Sequence, residues 1–300
     1  MRALVIGASG QVGASLLAVL RARGHEGHGT HGTHPAPGLS PLDLTDHAAV
    51  VRLISQTRPE WIFCPAGLSH VDYCEDHADE AFAVNRDGVH AAARAAEAAG
   101  AGFVFYSSDY VFDGVGGPFA ESDTARPLSV YGRSKREGEQ AVMAACRRAI
   151  VIRTSVVYGP EGQEKNFVYQ LIRACRAGQG FRPAVDQRAS PSYNPDVAAA
   201  SVELAERELL GLWHVAGSET LDRYAFALLV CREFASTAPG SRPSRRPSSS
   251  RRPPVRSTGG STCARRKPPC APRSAVPPRA WPPCIASWAA PERTLTVVNT

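Results

Sequence analysis

Val5-Ile6-Gly7-Ala8-Ser9-Gly10-Gln11-Val12-Gly13 is a hydrophobic strand end that turns through three glycines into the apolar run Ala14-Ser15-Leu16-Leu17-Ala18-Val19-Leu20. The apolar stretch Ala3 to Ile6 has the length of a buried parallel strand, and the glycines follow with no room for another element. Gly7 permits a tight turn, Gly10 removes a side chain that would block a pyrophosphate, and Gly13 lets the new helix pack on the strand. The helix N-terminus presents free N–H groups and the positive end of its dipole to phosphates. Glycine-rich turns are common, but one with a strand before it and a helix after it predicts an α/β protein: a Rossmann doubly wound parallel sheet.

The chain has 300 residues, enough for a sizeable core, and its net charge of +6 is unevenly placed. Residues 236–300 hold eleven Arg and one Lys against the single acid Glu292, a net +11, which leaves residues 1–235 at −5. The mildly acidic folded part therefore gives no reason to expect nucleic-acid binding. The eight cysteines form no C-x-x-C pair and no zinc-site spacing, so no metal is expected, and they read as buried small hydrophobes in a reducing compartment. No signal peptide and no membrane-spanning run is apparent, and the expectation is a cytoplasmic protein.

Beyond the first helix, Glu26 to His31 reads as a second strand, followed by Thr30-His31-Gly32-Thr33-His34 where an NAD-specific fold usually carries an acid. No acid appears until Asp43, which favours NADPH, or indifference between NADPH and NADH. Leu42-Asp43-Leu44-Thr45-Asp46 reads as a short third strand running into a helix capped by Thr45 or Asp46. Asp43 is either a contact to the adenine amine or simply part of that helix-entry turn. Trp61-Ile62-Phe63-Cys64 is a fourth strand, and Pro65-Ala66-Gly67 lets the chain pass beside a cofactor. The alanine-rich run Ala78 to Ala99 predicts one long helix stopped by Gly100.

Phe103 to Gly114 begins as a fifth buried strand and emerges as a polar loop at the carboxyl end, where ligands sit in this architecture. Pro127 precedes a helix over Ser129–Cys146, on which Tyr131 and Lys135 share a face. Lys135 can favour the Tyr131 phenolate and bind the cofactor ribose, while Ser108 can hydrogen-bond a carbonyl oxygen that Tyr131 protonates. Tyr110 and Asn85 lie near the same cleft, each with a structural role equally open.

Together Gly7-x-x-Gly10-x-x-Gly13, Leu42-Asp43-Leu44-Thr45-Asp46, Ser107-Ser108-Asp109-Tyr110-Val111-Phe112-Asp113-Gly114, Tyr131-x-x-x-Lys135 and Arg153-Thr154-Ser155-Val156-Val157-Tyr158-Gly159 resemble the extended short-chain dehydrogenase/reductases. Over about residues 1–234 the chain is most similar to the dTDP-4-dehydrorhamnose reductase group, which Lys165-Asn166-Phe167-Val168 and the segment Asp186 to Ala198 also fit. The resemblance implies an NAD(P)-binding domain over 1–160, with substrate-lobe elements over 161–235 interleaved with the Rossmann core. It also implies reduction of a nucleotide-linked 4-keto-6-deoxysugar at C4 by NADPH or NADH. Carried over, the catalytic set is Ser108, Tyr131 and Lys135. The cofactor set is Gly7, Ser9, Gly10, Gln11, Val12, Gly13, Asp43, Leu44, Ala66, Gly67, Tyr131 and Lys135, and Tyr110, Arg182, Gln187 and Arg188 are substrate candidates. Where relatives often have Asn-Ala-Ala after the fourth strand, this chain has Cys64-Pro65-Ala66. A second resemblance, to the regulatory β subunit of methionine adenosyltransferase, implies an NADP-binding module that acts on a partner enzyme. A homodimer is left open.

Leu221 to Phe234 reads as an amphipathic helix, after which residues 236–300 hold thirteen of the twenty-four prolines and almost no hydrophobic periodicity. Disorder is expected there, since such a segment cannot offset its ordering entropy by burial. A basic binding arm and an inert linker are two readings; the preferred one is an out-of-frame translation of a GC-rich gene, which would cost part of the substrate lobe and lower activity.

Overall fold

The computed structural model describes residues 1–234 and the strand Thr296–Val298. In chain order the first half comprises β1 (Arg2–Val5), α1 (Gln11–Ala22), β2 (Glu26–His31), β3 (Ser40–Pro41), α2 (His47–Thr57), β4 (Trp61–Cys64), α3 (Val71–Asp76), α4 (Ala78–Phe82), α5 (Val89–Ala98) and β5 (Gly102–Ser108). The second half comprises α6 (Val130–Ala145), β6 (Ala149–Thr154), β7 (Val157–Tyr158), α7 (Phe167–Arg176), β8 (Arg188–Ala189), β9 (Ser192–Tyr193), α8 (Asn194–Glu206), β10 (Gly211–Ala216), β11 (Leu221–Asp222), α9 (Arg223–Glu233) and β12 (Thr296–Val298).

The main sheet runs β3-β2-β1-β4-β5-β6-β10 with every neighbour parallel, and β12 adds an antiparallel edge beside β10. This is the doubly wound Rossmann arrangement, whose strand order reverses between β1 and β4. Period-two alternation divides the core. Val5, Phe63, Val104 and Ile152 face α1 and α8, while Leu4, Ile62, Phe103 and Val151 face α2, α5 and α6. A separate cluster of Tyr158, Val168, Leu171, Ile172, Phe226 and Val230 forms the core of a second lobe built on α7 and α9.

Several elements depart from the sequence reading. The third strand is only Ser40–Pro41; Leu42 N still reaches His31 O at 2.9 Å, and beyond it Leu44 is buried outside any strand. The long helix expected over Ala78–Ala99 runs without a gap from Ala78 to Ala98, but it passes through a π-helical turn over Ala83–Gly88 between α4 and α5. Alanine content carries helix type but not register. The turn is held by Asn85, and its last residue is pressed so tightly on Leu44 that a Cβ on Gly88 would lie 2.8 Å from Leu44 Cγ. The helix expected over Ser129–Cys146 has those two residues as its caps, with Ser129 Oγ accepting from Gly132 N at 3.0 Å. Of the two candidate caps at 45 and 46 it is Asp46 that accepts from Ala49 N, at 2.9 Å. The disorder and frame expectations for 236–300 lie outside the described residues, apart from Thr296–Val298. Those three β-branched residues pair with His214–Ala216.

Candidate active site

The glycine turn is shaped by close approach. Gly7 has a φ of +92°, and a Cβ there would lie 2.9 Å from Ala66 Cα; one on Gly13 would lie 2.7 Å from Ala8 Cα. Gly10 is the N-cap of α1 and has no side chain to satisfy the first-turn amides. β2 supports the turn, with Gly7 N donating to Thr30 Oγ1 at 3.2 Å and Ala8 N to Thr30 O at 2.6 Å. Buried Gln11 Nε2 has no partner among the described residues. Uncapped amides, a cradle that a Cβ would fill and an unpaired buried donor fit a pyrophosphate. Ser9, Gln11 and Val12 share this turn, and Ala66 flanks it; the next residue, Gly67, faces Asn85 and Lys135, since a Cβ there would lie 2.9 Å from Asn85 Oδ1 and 3.4 Å from Lys135 Nζ.

Asp43 is exposed, and its Oδ1 accepts from Thr45 N at 2.8 Å and Thr45 Oγ1 at 2.7 Å. Those bonds hold its carboxyl below the usual range and serve the helix-entry turn. Leu44 is buried against the π-helical turn.

At the carboxyl end of β5 the structure brings Ser108 and Tyr131 together, and Lys135 follows one turn after Tyr131 on α6. All three are buried, and the Ser108 hydroxyl is within hydrogen-bonding reach of the Tyr131 phenol. Tyr110 sets its ring edge-on to Tyr131 with centroids 5.5 Å apart. Lys135 Nζ lies over the Phe105 ring, 4.3 Å from its centroid, and burial brings its pKa down to about 8. Burial also holds the Tyr131 phenol above its ordinary value; Ser108 works to lower it, and the lowering expected from Lys135 does not appear. The result is a protonated tyrosine at neutral pH, the form a general acid needs.

Asp109 lies behind Ser108. Its Oδ1 accepts from Ser108 Oγ at 2.9 Å and its Oδ2 from Ser155 Oγ at 2.6 Å, and burial pushes its carboxyl up to about 6. Ser155 thereby ties the end of β6 to the end of β5, just before Val156, whose φ of +39° is unusual for a β-branched residue. Deeper still, Arg153 makes two 2.7 Å bonds to Glu139, both residues almost fully buried. Burial works to raise the Glu139 carboxyl, but Arg153 holds it low. Asn85 is wholly buried and clasps Leu68, accepting from its N and donating to its O at 2.9 Å each, so it shapes the loop beside Gly67.

The other substrate candidates are not brought to this cluster as a group. Arg182 and Arg188 are exposed, Arg188 lies in the small β8–β11 sheet, and Gln187 accepts from Arg223 N through its backbone. Sequence reasoning missed Asn194 and Gln163, which reach back to the glycine turn. Asn194 Nδ2 donates to Gln11 O at 3.0 Å and to Pro160 O at 2.7 Å, and Gln163 Nε2 reaches Ser9 O at 3.5 Å. Contacts across more than 150 residues leave no local sequence signal. An open groove at the amino end of the sheet, lined by Arg2, His25, Arg58 and Glu206 among others, is remote from all of these residues.

The model of the RmlD substrate binding domain matches residues 1–270. The chain belongs to that family. Among RmlD-type relatives, the dTDP-4-dehydrorhamnose reductase of Sinorhizobium fredii is 35% identical over 271 residues, spanning 84% of this chain and 88% of its own. The methionine adenosyltransferase 2 subunit beta of Danio rerio is 31% identical over 242 residues, 78% of this chain and 74% of its own. The crystal structure of dTDP-4-dehydrorhamnose reductase from Bacillus anthracis in complex with NADP superposes with a TM-score of 0.73 at 29% identity, covering 78% of this chain and 81% of that one. No described helix is long and apolar enough to cross a membrane.

Proposed function

We propose that this protein is an NAD(P)H-dependent reductase of a nucleotide-linked 4-keto-6-deoxysugar. The observation that supports the reading is buried Tyr131 beside Ser108, one helical turn before buried Lys135, whose ammonium reaches Gly67 next to the glycine turn. The relatives named as reductases support the substrate class.

Gly7, Gly10 and Gly13 with the first amides of α1 would hold the cofactor phosphates, and Lys135 its ribose. Bound NADPH or NADH supplies hydride to the C4 carbonyl carbon. Tyr131 gives its phenolic proton to the carbonyl oxygen, completing the alcohol, and the Lys135 ammonium steadies the phenolate left behind. The Ser108 proton points at Asp109 in the resting site, so Ser108 Oγ holds the tyrosine hydroxyl as an acceptor; turning that proton outward gives the carbonyl oxygen a donor.

The test follows the loss of NADPH absorbance with a dTDP-4-keto-6-deoxysugar. Turnover by the wild type that Tyr131→Phe abolishes supports the reductase. Tight NADPH binding without turnover supports the second reading, a non-catalytic regulatory module, which the similarity to the methionine adenosyltransferase subunit favours.

A further inference from the structure

The loop after β7 crosses back over the glycine turn. Pro160 is joined to Asn194, Gln163 reaches Ser9 O at 3.5 Å, and Lys165 Nζ reaches His34 Nε2 at 3.3 Å. A strap from the second lobe therefore runs from the pyrophosphate cradle to the loop just beyond β2. That loop lies where a dinucleotide-binding sheet meets the adenosine ribose, and where an NAD-specific site places an acid on the 2′-hydroxyl. Residues 27–42 hold no Asp or Glu.

The hydrogen bonds in this corner set its polarity. An ammonium only donates, so His34 Nε2 accepts from Lys165 and the ring proton sits on Nδ1. Nδ1 then donates to Thr33 Oγ1, 2.8 Å away, which leaves the Thr33 hydroxyl proton to point elsewhere. Lys165 keeps further N–H donors beyond the one given to His34. A full positive charge and a hydroxyl donor thus converge beside the loop after β2, with no carboxylate in residues 27–42; the next acid, Asp43, has its Oδ1 engaged by Thr45 N and Oγ1.

We infer that Thr33, His34 and Lys165 form a two-lobed site for the 2′-phosphate of NADPH, and that the protein selects NADPH over NADH through it. The inference rests on the cofactor reading above and adds the source of its selectivity. A dianionic phosphate gains charge-assisted bonds from Lys165 and a hydroxyl bond from Thr33, whereas the 2′-hydroxyl of NADH leaves the ammonium with only a neutral partner. One charge-assisted bond at an exposed site corresponds to about tenfold in affinity.

The experiment is titration calorimetry of the full chain with NADPH, NADH, 2′,5′-ADP and 5′-AMP, for the wild type, Lys165→Ala and Lys165→Arg. Thermal melts confirm that each variant is folded. The wild type is expected to bind NADPH about tenfold or more tightly than NADH, and 2′,5′-ADP better than 5′-AMP by a similar ratio. Lys165→Ala should collapse both ratios toward one, and Lys165→Arg should restore them. Equal affinities in the wild type overturn the site, as does a Lys165→Ala variant that weakens NADPH and NADH by the same factor. Failure to bind either cofactor overturns the cofactor reading itself, an outcome distinct from loss of the ratio.

Discussion

Replacing Asp109 by Asn should make the protein more stable at neutral pH and leave it little changed in acid. The carboxyl is buried and raised from its ordinary 3.8 to about 6. Ionising it in the folded chain therefore costs about 3 kcal/mol more than ionising it in the unfolded one. Because the folded value is the higher, that cost is fully present above pH about 6, shrinks as pH falls, and is gone below the unfolded value. Asn removes the cost but cannot accept from both hydroxyls. Either Ser108, at 2.9 Å, or Ser155, at 2.6 Å, must reverse and accept from the new amide. The protonated acid makes the same exchange, so its cost is already contained in the raised value. The gain at neutral pH is therefore about 3 kcal/mol, a rise in Tm of roughly 6–12 °C for a unit of this size. Below pH about 4 the gain should fade toward zero, since the wild-type carboxyl is then neutral in both states. Urea melts and thermal scans across this pH range measure the difference. A variant that melts below the wild type at neutral pH, or a difference that stays flat with pH, refutes the reasoning that Asp109 sits ionised at a cost.

Three further outcomes are expected. Because kcat/KM reports the free enzyme, its pH profile for reduction should fall above pH about 8, as Lys135 loses the proton that steadies the Tyr131 phenolate; a profile flat through that region removes Lys135 from the role. Gly13→Ala puts a Cβ within 2.7 Å of Ala8 Cα and should cost about 1–3 kcal/mol in urea melts, with loss of NADPH affinity in the same calorimetry. Glu139→Gln leaves buried Arg153 without its ion partner and should cost about 3–5 kcal/mol, while a double replacement by apolar residues of similar volume should recover most of it.

The parts of this site that sequence reveals are those whose residue types are dictated by neighbours a few positions away. Gly7, Gly10 and Gly13 are forced by one turn, Tyr131 and Lys135 by one helix face, and Ser108 by the end of one strand. Ser155 and Glu139 work across the fold, on Asp109 and Arg153. In the sequence Ser155 is one more hydroxyl in a loop, and Glu139 one more acid on a charged helix. The π turn in the helix over Ala78–Ala99 was hidden for a related reason, because the backbone of Leu68 and the hydroxyl of Ser134, at 3.0 Å, engage Asn85 from outside its own segment. Cofactor choice was half legible: the missing acid after β2 was plain, but the cation that takes its place comes from residue 165.

The packing of α8 on α1 has a consequence for how the chain is made. Val197, Ala198, Val202 and Leu204 fill the same cluster as Leu16 and Leu20, so the β5–β6 part of that face stays uncovered until Glu206 has left the ribosome. At ordinary synthesis rates the interval between β6 and the end of α8 is roughly 3–10 s. Throughout it the first-made strands and the glycine turn are outside the ribosome but unable to close. The nascent chain is then a natural client for chaperones that shield apolar surface, and a ribosome stalled before α8 would display an aggregation-prone sheet rather than a finished nucleotide-binding half.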